Sequence, residues 1–387
     1  MQKQTNTSKI DTVSIFEQYP RLIGVLLIFF FLGLLDLIAG IFLIPENYQS
    51  FRIRDSFYHH GIQPESDVIT NWGQKYYKFS SNSLGFRDRS TRKVSLLPEG
   101  NSRRILFMGD SHTEAVGVEY SDSFVGRLEE MVRNENIEIL NGSAVSYSPR
   151  IHYLKTKYLI EEKGLRIDEL FVVIDMSDLN NEIAYEGFEP KINPGYVRAG
   201  RRLTQELSKY SAIVFLADKI IKERRNRFFY RNMPVTDRSD FELYATFFSD
   251  FKDADLLNDP NFHHVSRWIE DDSLKGLAEY SLDVGQKNIA QLNDLCRKHD
   301  IEMTITVHPW QDQVIKGDTT NAYVESWRTF ADQQNIGFIN LYPVFINHTN
   351  PVITASQCYI KYDNHWNERG HALVAAAFLP HILAKNR

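Results

Sequence analysis

Residues 105–114 read Ile-Leu-Phe-Met-Gly-Asp-Ser-His-Thr-Glu, and this stretch decides the fold that the sequence predicts. The continuous apolar run over 105–108 is typical of a strand that is buried on both faces. Gly109 and the two polar residues after it end the strand, and a helical pattern follows over 124–134. A buried strand that leads through a short turn into a helix is the first half of a parallel βαβ unit.

The same alternation continues along the chain. Apolar runs predict further strands at 137–140, 170–175, 303–307 and 337–341, and helical patterns lie at 151–162, 277–299 and 370–385. Strands that alternate with helices indicate a parallel sheet covered by helices on both faces. We therefore predict an α/β fold of three layers, α/β/α.

Residues 22–44 form the longest apolar stretch, LIGVLLIFFFLGLLDLIAGIFLI, with Asp36 as its one charge. At about 1.5 Å per residue this stretch extends roughly 34 Å, enough to cross a hydrocarbon core of about 30 Å. Pro45 and Glu46 follow it instead of a small-residue cleavage site, so we predict an uncleaved transmembrane anchor rather than a signal peptide. A buried core helix is the alternative, and Asp36 is also compatible with a contact to another membrane protein.

The rest of the chain divides around these segments. A tail over 1–21 precedes the anchor, a polar and aromatic lead-in covers 45–102, and the α/β domain extends over 103–387. Between about 182 and 276 the alternation fails, and aromatic residues with paired charges predict a mostly helical insertion. We interpret the insertion as a cap over the site or a surface for a partner, because such sites lie beyond the carboxyl ends of the strands.

Composition excludes several classes of protein. The net charge is −6, with 44 basic and 50 acidic residues and no basic run, which argues against a nucleic-acid partner. Two cysteines, Cys296 and Cys358, are too few for a disulfide scaffold or a four-cysteine zinc site. No standard metal spacing such as HExxH occurs, so neither a metal nor another cofactor is expected.

Three residues carry the candidate chemistry. Ser111 follows a buried strand and begins a helix, a position from which a hydroxyl can act as a nucleophile beside backbone N–H groups. A helix N-cap is the plainer interpretation of a serine in this place. Near the other end of the chain, Asp363 precedes His365 by two residues, so one loop can supply an imidazole base and the carboxylate that orients it.

These motifs resemble the SGNH/GDSL hydrolase family. Gly109-Asp110-Ser111 matches the first block of that family, Asn141-Gly142 the second, and Asp363-Asn364-His365 the last. The resemblance extends over about 103–387 apart from the insertion, and it looks most like the membrane-anchored branch related to alginate-type polysaccharide O-acetyltransferases. It implies a three-layer fold in which Ser111 is the nucleophile, His365 the base and Asp363 the residue that orients the base.

The third block departs from the family pattern. The family offers an asparagine whose side chain donates to the oxyanion, whereas the aligned residue here is Ser177. We expect Ser177 and the backbone N–H groups of Ser111 and Gly142 to form the oxyanion hole. His308 and Trp310 follow the fourth strand, and we predict that they line the substrate pocket, although a packed strand end is an equal alternative.

The sequence therefore predicts a membrane-anchored serine esterase or O-acyltransferase that acts on acyl esters, expected to be acetyl, of a surface or secreted glycan. The expected partners are a glycan or acylated small substrate, the membrane through 22–44, and a membrane-bound acyl-transfer protein. Three basic residues before the span and two soon after it favour a cytoplasmic N-terminus, which puts the catalytic domain outside the cytoplasm. The expected location is a bacterial inner membrane. The alternative is a non-catalytic SGNH-like subunit that binds glycan or assembles a polysaccharide-modifying complex.

Overall fold

The computed structural model describes residues 18–44, 51–73, 75–100, 102–191, 200, 203–204, 206–231, 275–346, 350–361 and 363–384. Its strands are β1 (Arg52–Asp55), β2 (His59–Ile62), β3 (Asp67–Trp72), β4 (Lys75–Ser81), β5 (Arg87–Asp88), β6 (Arg103–Met108), β7 (Ile137–Asn141), β8 (Glu169–Ile174), β9 (Glu302–Val307) and β10 (Gly337–Asn340). Its α-helices are α1 (Pro20–Leu43), α2 (Ser111–Glu114), α3 (Phe124–Met131), α4 (Pro149–Lys157), α5 (Ser177–Tyr185), α6 (Ala212–Arg231), α7 (Lys275–Lys298), α8 (Gln311–Lys316), α9 (Ala322–Gln334), α10 (Tyr342–Ile346), α11 (Pro351–Cys358) and α12 (Glu368–Leu383).

Eight strands form the main sheet, in the order β10-β9-β8-β6-β7-β5-β4-β3. The five strands from β6 to β10 are parallel, as the alternation predicted, and each lies within a residue or two of its predicted run. Since parallel strands end at the same edge, the loops after β6, β7, β8 and β9 meet there. The α/β fold class is thereby confirmed.

Aromatic packing fills one face of the sheet. Phe107 on β6 and Phe171 on β8 stack on each other, and Phe378 of α12 packs edge-on against both rings. Phe124 at the start of α3 stacks on Phe378, so α3 and α12 form one helical layer. Each of these buried rings contributes roughly 1.5–3 kcal/mol to folding. A second group, α4, α5 and α7, packs together as the other layer.

The lead-in segment belongs to the sheet itself. β3, β4 and β5 form antiparallel pairs, and Arg87 of β5 pairs with Asn141 of β7, so these strands extend the parallel sheet at one edge. Sequence patterning predicted a polar and aromatic lead-in over 45–102 but not its place in the main sheet. The remaining pair, β1 and β2, forms a separate two-stranded antiparallel ribbon.

The N-terminal helix belongs to a second compact unit, which comprises residues 1–50 and 199–227. Helix α1 is long and apolar enough to cross a membrane, with a mean hydropathy of 2.8 and none of its most apolar window buried, which does not fit a buried core helix. Within this unit the backbone N–H of Ile213 donates to Oδ1 of Asp36 at 2.8 Å. Asp36 therefore has a partner in its own chain. Of the predicted insertion, residues 192–199, 201–202, 205 and 232–274 lie outside the described residues.

Candidate active site

The turn after β6 presents the candidate nucleophile. Asp110 precedes α2, and its Oδ1 accepts the backbone N–H of His112 at 2.9 Å, which caps the helix. A Cβ on Gly109 would lie 2.1 Å from Oγ1 of Thr113, so the turn has no room for a side chain there. Ser111 is the first helical residue, so its N–H has no acceptor within the helix. Its side chain lies at the edge of the sheet where the parallel strands end.

The structure brings Ser111, His365 and Asp363 together. Oγ of Ser111 lies 2.8 Å from Nε2 of His365, and Nδ1 of the same ring hydrogen-bonds Oδ1 of Asp363. Because an ionised carboxylate only accepts, Nδ1 carries the proton and Nε2 is the acceptor for the serine hydroxyl. Burial raises the pKa of Asp363, but the charge and hydrogen bonds of His365 outweigh it and hold that pKa below its usual range. The geometry is that of a serine activated by an oriented imidazole.

Trp72 completes this arrangement, and sequence reasoning missed it. Its indole Nε1 donates to Oδ2 of Asp363 at 2.9 Å, and its ring packs edge-on against His365 with centroids 4.8 Å apart. The residue ends β3, in the lead-in segment, and is 3% exposed. The sequence around Trp72 did not indicate a functional role. Its contact with Asp363 depends on the place of β3 at one edge of the folded sheet.

The oxyanion hole differs from the prediction. The N–H of Gly142 donates to the carbonyl of Phe107 at 2.9 Å, so this amide is engaged in the sheet and is not available to an oxyanion in this structure. Ser177 lies near the site, but its hydroxyl donates to Oδ1 of Asp175 at 2.6 Å, with Oδ2 of Asp110 3.3 Å away. Of the three predicted donors, the N–H of Ser111 is the one without an acceptor in its own helix, because Ser111 is the first helical residue.

The two residues predicted to line the substrate pocket, His308 and Trp310, differ in their burial. His308 is fully buried and packs against the rings of His112 and Trp366, both with centroids 4.5 Å away, so it does not border solvent in this structure. Its place in the substrate pocket stays a prediction. Trp310 is half-buried, and its Nε1 donates to Oδ2 of Asp175 at 2.9 Å. Its role in binding substrate stays a prediction.

Buried charges surround the nucleophile turn. Burial lowers the pKa of His112, but the adjacent carboxylates of Asp110 and Asp175 outweigh it and raise the pKa to about 10. The ring of His112 stacks on His365 with centroids 4.6 Å apart. Burial raises the pKa of Asp175, yet its contacts with His112 and His308 bring it below the usual value. The candidate base therefore lies directly beside a polar cluster that the sequence did not indicate.

Two arginines from the lead-in segment support the same turn. Arg52 binds both carboxylate oxygens of the fully buried Glu114, at 2.7 and 2.6 Å. Glu114 also accepts the N–H of Val145 at 2.8 Å, which links helix α2 to the loop after β7. Arg87 is buried and donates to the backbone carbonyls of Glu114 and Val118 at 2.8 and 2.6 Å. These bonds hold α2 at the edge of the sheet.

A buried lysine holds the loop after β7. Nζ of Lys155 donates to the carbonyl of Gly142 at 2.6 Å and to the hydroxyl of Tyr147 at 2.9 Å. Burial lowers the pKa of this amine to about 7. The loop that carries Gly142 is therefore held by the amine of Lys155, which gains or loses a proton near neutral pH.

No family model matches this chain, and no curated protein matches it. Among solved structures, the acetyl xylan esterase AlAXEase is 13% identical, with a TM-score of 0.39, and the match covers 72% of this chain and 99% of that chain. A catalytic mutant of the acetylxylan esterase Axe2 from Geobacillus stearothermophilus is 14% identical, covers 74% and 96%, and has a TM-score of 0.37. A lipase/acylhydrolase from Enterococcus faecalis is 9% identical, covers 73% and 96%, and has a TM-score of 0.38. At these values the likeness supports no statement about activity.

Proposed function

We propose that this protein is a membrane-anchored serine esterase or O-acyltransferase of the SGNH/GDSL type that works through an acyl-enzyme on Ser111. One observation carries the proposal: the continuous hydrogen-bonded chain from Oγ of Ser111 through His365 to Asp363. A nucleophile, a base and a carboxylate that orients the base meet in the order that nucleophilic catalysis needs, although Ser111 and His365 are 254 positions apart in the chain. A helix N-cap, the plainer interpretation of Ser111, is supplied instead by Asp110.

The chemistry follows from this chain of bonds. Oγ of Ser111 attacks the acyl carbonyl while Nε2 of His365 takes its proton, and Asp363 stabilises the imidazolium that forms. His365 then returns the proton to the departing alcohol, which leaves the acyl group as an ester on Ser111. Water or a sugar hydroxyl, deprotonated in turn by His365, attacks that ester and regenerates the serine. A hydrolase and a transferase differ in this last acceptor.

The proposed substrate is an acetyl ester of a surface or secreted glycan. Helix α1 supports a membrane location, and the half-buried Trp310 near the nucleophile is suited to stack on a sugar ring. We place the catalytic domain on the extracytoplasmic side of a bacterial inner membrane, with a membrane-bound acyl-transfer protein as the acyl donor.

A non-catalytic role in glycan binding or assembly is the second candidate. It is favoured by the oxyanion region, where the Gly142 amide and the Ser177 hydroxyl are both engaged by other groups. Loss of one oxyanion donor costs roughly 3–4 kcal/mol of transition-state stabilisation. A protein that keeps the triad but lacks these donors would turn over slowly.

The test uses the full-length chain in detergent with a fluorophosphonate probe and a small acetyl ester. We expect labelling of the wild type that disappears in Ser111→Ala, together with ester turnover that is lost in Ser111→Ala and in His365→Ala. Asp363→Asn should retain the fold and lose about 10³–10⁴-fold in turnover, since the imidazole is then held in the wrong tautomer. A folded wild type with neither labelling nor turnover would favour the non-catalytic candidate, and glycan binding would be measured next.

A further inference from the structure

Four buried side chains converge beneath the nucleophile turn: Asp110, His112, Asp175 and His308. One ligand atom from each lies within 4.8 Å of the other three. Nδ1 of His112 is 3.2 Å from Oδ2 of Asp175 and 3.7 Å from Oδ1 of Asp110, and Nε2 of His308 is 3.6 Å from Oδ2 of Asp175. Two imidazoles therefore face two carboxylates in the protein interior.

Two nitrogen atoms in this cluster lack a hydrogen-bond partner among the described residues. They are Nδ1 of His112 and Nε2 of His308, whose residues are 1% and 0% exposed. The carboxylate oxygens are close to both nitrogens, but no aligned hydrogen bond forms. Other buried side-chain atoms among the described residues also lack partners, and what distinguishes these two nitrogens is that both face the same pair of carboxylates, an arrangement that an ion can complete.

The opposite ring nitrogens are already paired with backbone carbonyls. Nε2 of His112 lies 2.9 Å from the carbonyl of Asn364, and Nδ1 of His308 lies 3.5 Å from the carbonyl of Pro309. A carbonyl only accepts, so in the neutral ring the proton sits on that side and the lone pair of the other nitrogen faces the cluster. Histidines that bind metals are typically oriented in this way by a carbonyl or carboxylate behind them.

The carboxylates are oriented as well. Oδ1 of Asp110 accepts the backbone N–H of His112, and Oδ2 of Asp175 accepts the indole N–H of Trp310, both at 2.9 Å. Each oxygen has two lone pairs, so one remains to face the cluster. When both imidazoles act as neutral metal ligands, the two carboxylates leave two buried negative charges for the ion to balance.

We propose that Asp110, His112, Asp175 and His308 bind one divalent transition-metal ion of the Zn²⁺ type. Ligands about 2.1 Å from a tetrahedral zinc ion are separated from one another by about 3.4 Å. Three of the six separations between the ligand atoms, 3.2, 3.7 and 3.6 Å, lie close to this value, and the other three are at most 4.8 Å, so the side chains have to move inward when the ion binds. The two positive charges of the ion balance the two carboxylates, and the ion is the missing partner of both nitrogens.

The ion would connect the turn that carries Ser111 to the loop that carries Asp363 and His365. Asp110 is adjacent to Ser111 in the chain, and its Oδ2 lies 3.2 Å from the serine Oγ. His112 holds the carbonyl of Asn364, the residue between Asp363 and His365. The ion is therefore a structural clamp between the nucleophile turn and the loop that carries the base, and it does not contact substrate.

The test measures metal binding directly and needs no catalytic activity, so its outcome is independent of the proposed function. The full-length chain in detergent is stripped with a chelator, dialysed and titrated with Co²⁺ or Zn²⁺. We expect one ion per chain by elemental analysis, the visible absorption of tetrahedral Co²⁺, and a higher unfolding temperature with Zn²⁺. His308→Gln should weaken Zn²⁺ binding by more than the roughly 10–100-fold that loss of an outer-shell partner costs.

His371→Gln is the matched control, because His371 is also buried but accepts the backbone N–H of Phe124 instead of facing the cluster. It should bind Zn²⁺ as the wild type does. Equal binding by His308→Gln and the wild type would place the ion elsewhere and overturn the proposal. A folded wild type that binds no ion also overturns it, and ¹⁵N NMR would then find both nitrogens of His112 protonated. Even if a variant fails to fold, the wild-type titration still tests whether the chain binds one ion.

Discussion

The indole N–H of Trp72 donates a 2.9 Å hydrogen bond to Oδ2 of Asp363, a residue 291 positions further along the chain. The other oxygen of the same carboxylate holds Nδ1 of His365. Asp363 is thus held from both sides, and its plane is set by a tryptophan on an antiparallel strand outside the parallel part of the sheet. The lead-in segment is therefore part of the candidate site.

Replacing Trp72 with Phe should lower kcat for an acetyl ester by roughly 10–100-fold with little change in KM. The substitution keeps the aromatic packing and removes a hydrogen bond to a charged group, which is worth about 1.5–3 kcal/mol. Steady-state kinetics on the full-length chain measure the effect. Trp327→Phe is the control, because that buried ring packs against Tyr323 and Phe330 instead, and its kcat should stay at the wild-type value. Equal kcat values in both variants would contradict the positioning role of Trp72.

Gly109→Ala should reduce both fluorophosphonate labelling and thermal stability. The new Cβ would lie 2.1 Å from Oγ1 and 2.6 Å from Cβ of Thr113, so the turn before Ser111 has to shift. Gly187→Ala is matched to it, since no atom lies within 4 Å of the Cβ added there. We expect labelling rates and unfolding temperatures close to wild type for Gly187→Ala. Unchanged labelling in Gly109→Ala would mean that the turn has room that the structure does not show.

Arg52→Met should destabilise the α/β domain by about 3 kcal/mol, because it leaves the fully buried carboxylate of Glu114 without its cation. The double variant Arg52→Met, Glu114→Gln should recover part of this loss, as the buried charge is then gone. Denaturant unfolding followed by circular dichroism measures both. Arg133→Met removes an exposed ion pair with Glu130 and should cost less than about 1 kcal/mol. A loss of that small size in Arg52→Met would show that Glu114 is neutral or solvated.

The contribution of Lys155 to the free energy of unfolding should rise between about pH 7 and pH 10. His112, whose pKa is raised to about 10, contributes the opposite slope over the same range, so the test compares the wild type with variants of Lys155. The pKa of Lys155 is about 7 in the folded protein against 10.5 for the free side chain, so in this window its amine binds more protons in the unfolded chain than in the folded one. The Lys155 contribution then increases by at most about 1.4 kcal/mol per pH unit, and below pH 7 this contribution no longer depends on pH. Lys155→Met should remove this slope, whereas Lys157→Met on the same helix should retain it. Parallel slopes in the wild type and Lys155→Met would show that the folded amine titrates normally.

Local patterns were enough to predict the elements of the parallel sheet. The runs at 105–108 and 303–307 are continuous and apolar, which is what strands buried on both faces require, and the structure extends each by one or two residues. The grouping of Ser111, Asp363 and His365 was predicted from the resemblance of their motifs, because Asp363 and His365 lie between α11 and α12 and not after a parallel strand. The long apolar helix at the N-terminus follows from composition alone.

Predictions about single hydrogen-bonding groups were less successful. The Gly142 amide was expected to face the oxyanion, but it extends the pairing of β7 with β6 and donates to Phe107. His308 was expected in the pocket because it follows a strand, yet it packs beneath the site against His112 and Trp366. Position at a strand end does not determine whether a side chain points outward or into the core.

By itself, the sequence determined the layers, the apolar N-terminal helix and the three residue types of the candidate triad, because hydrophobic periodicity and short motifs are local properties of the chain. The tertiary structure alone decided that Trp72 holds Asp363, that Arg52 neutralises Glu114, and that His308 faces Asp175 beneath the nucleophile turn. Each of these contacts joins residues 62 or more positions apart. Such contacts depend on which strands become neighbours in the sheet, and strand order is settled by packing of the whole domain rather than by any local pattern.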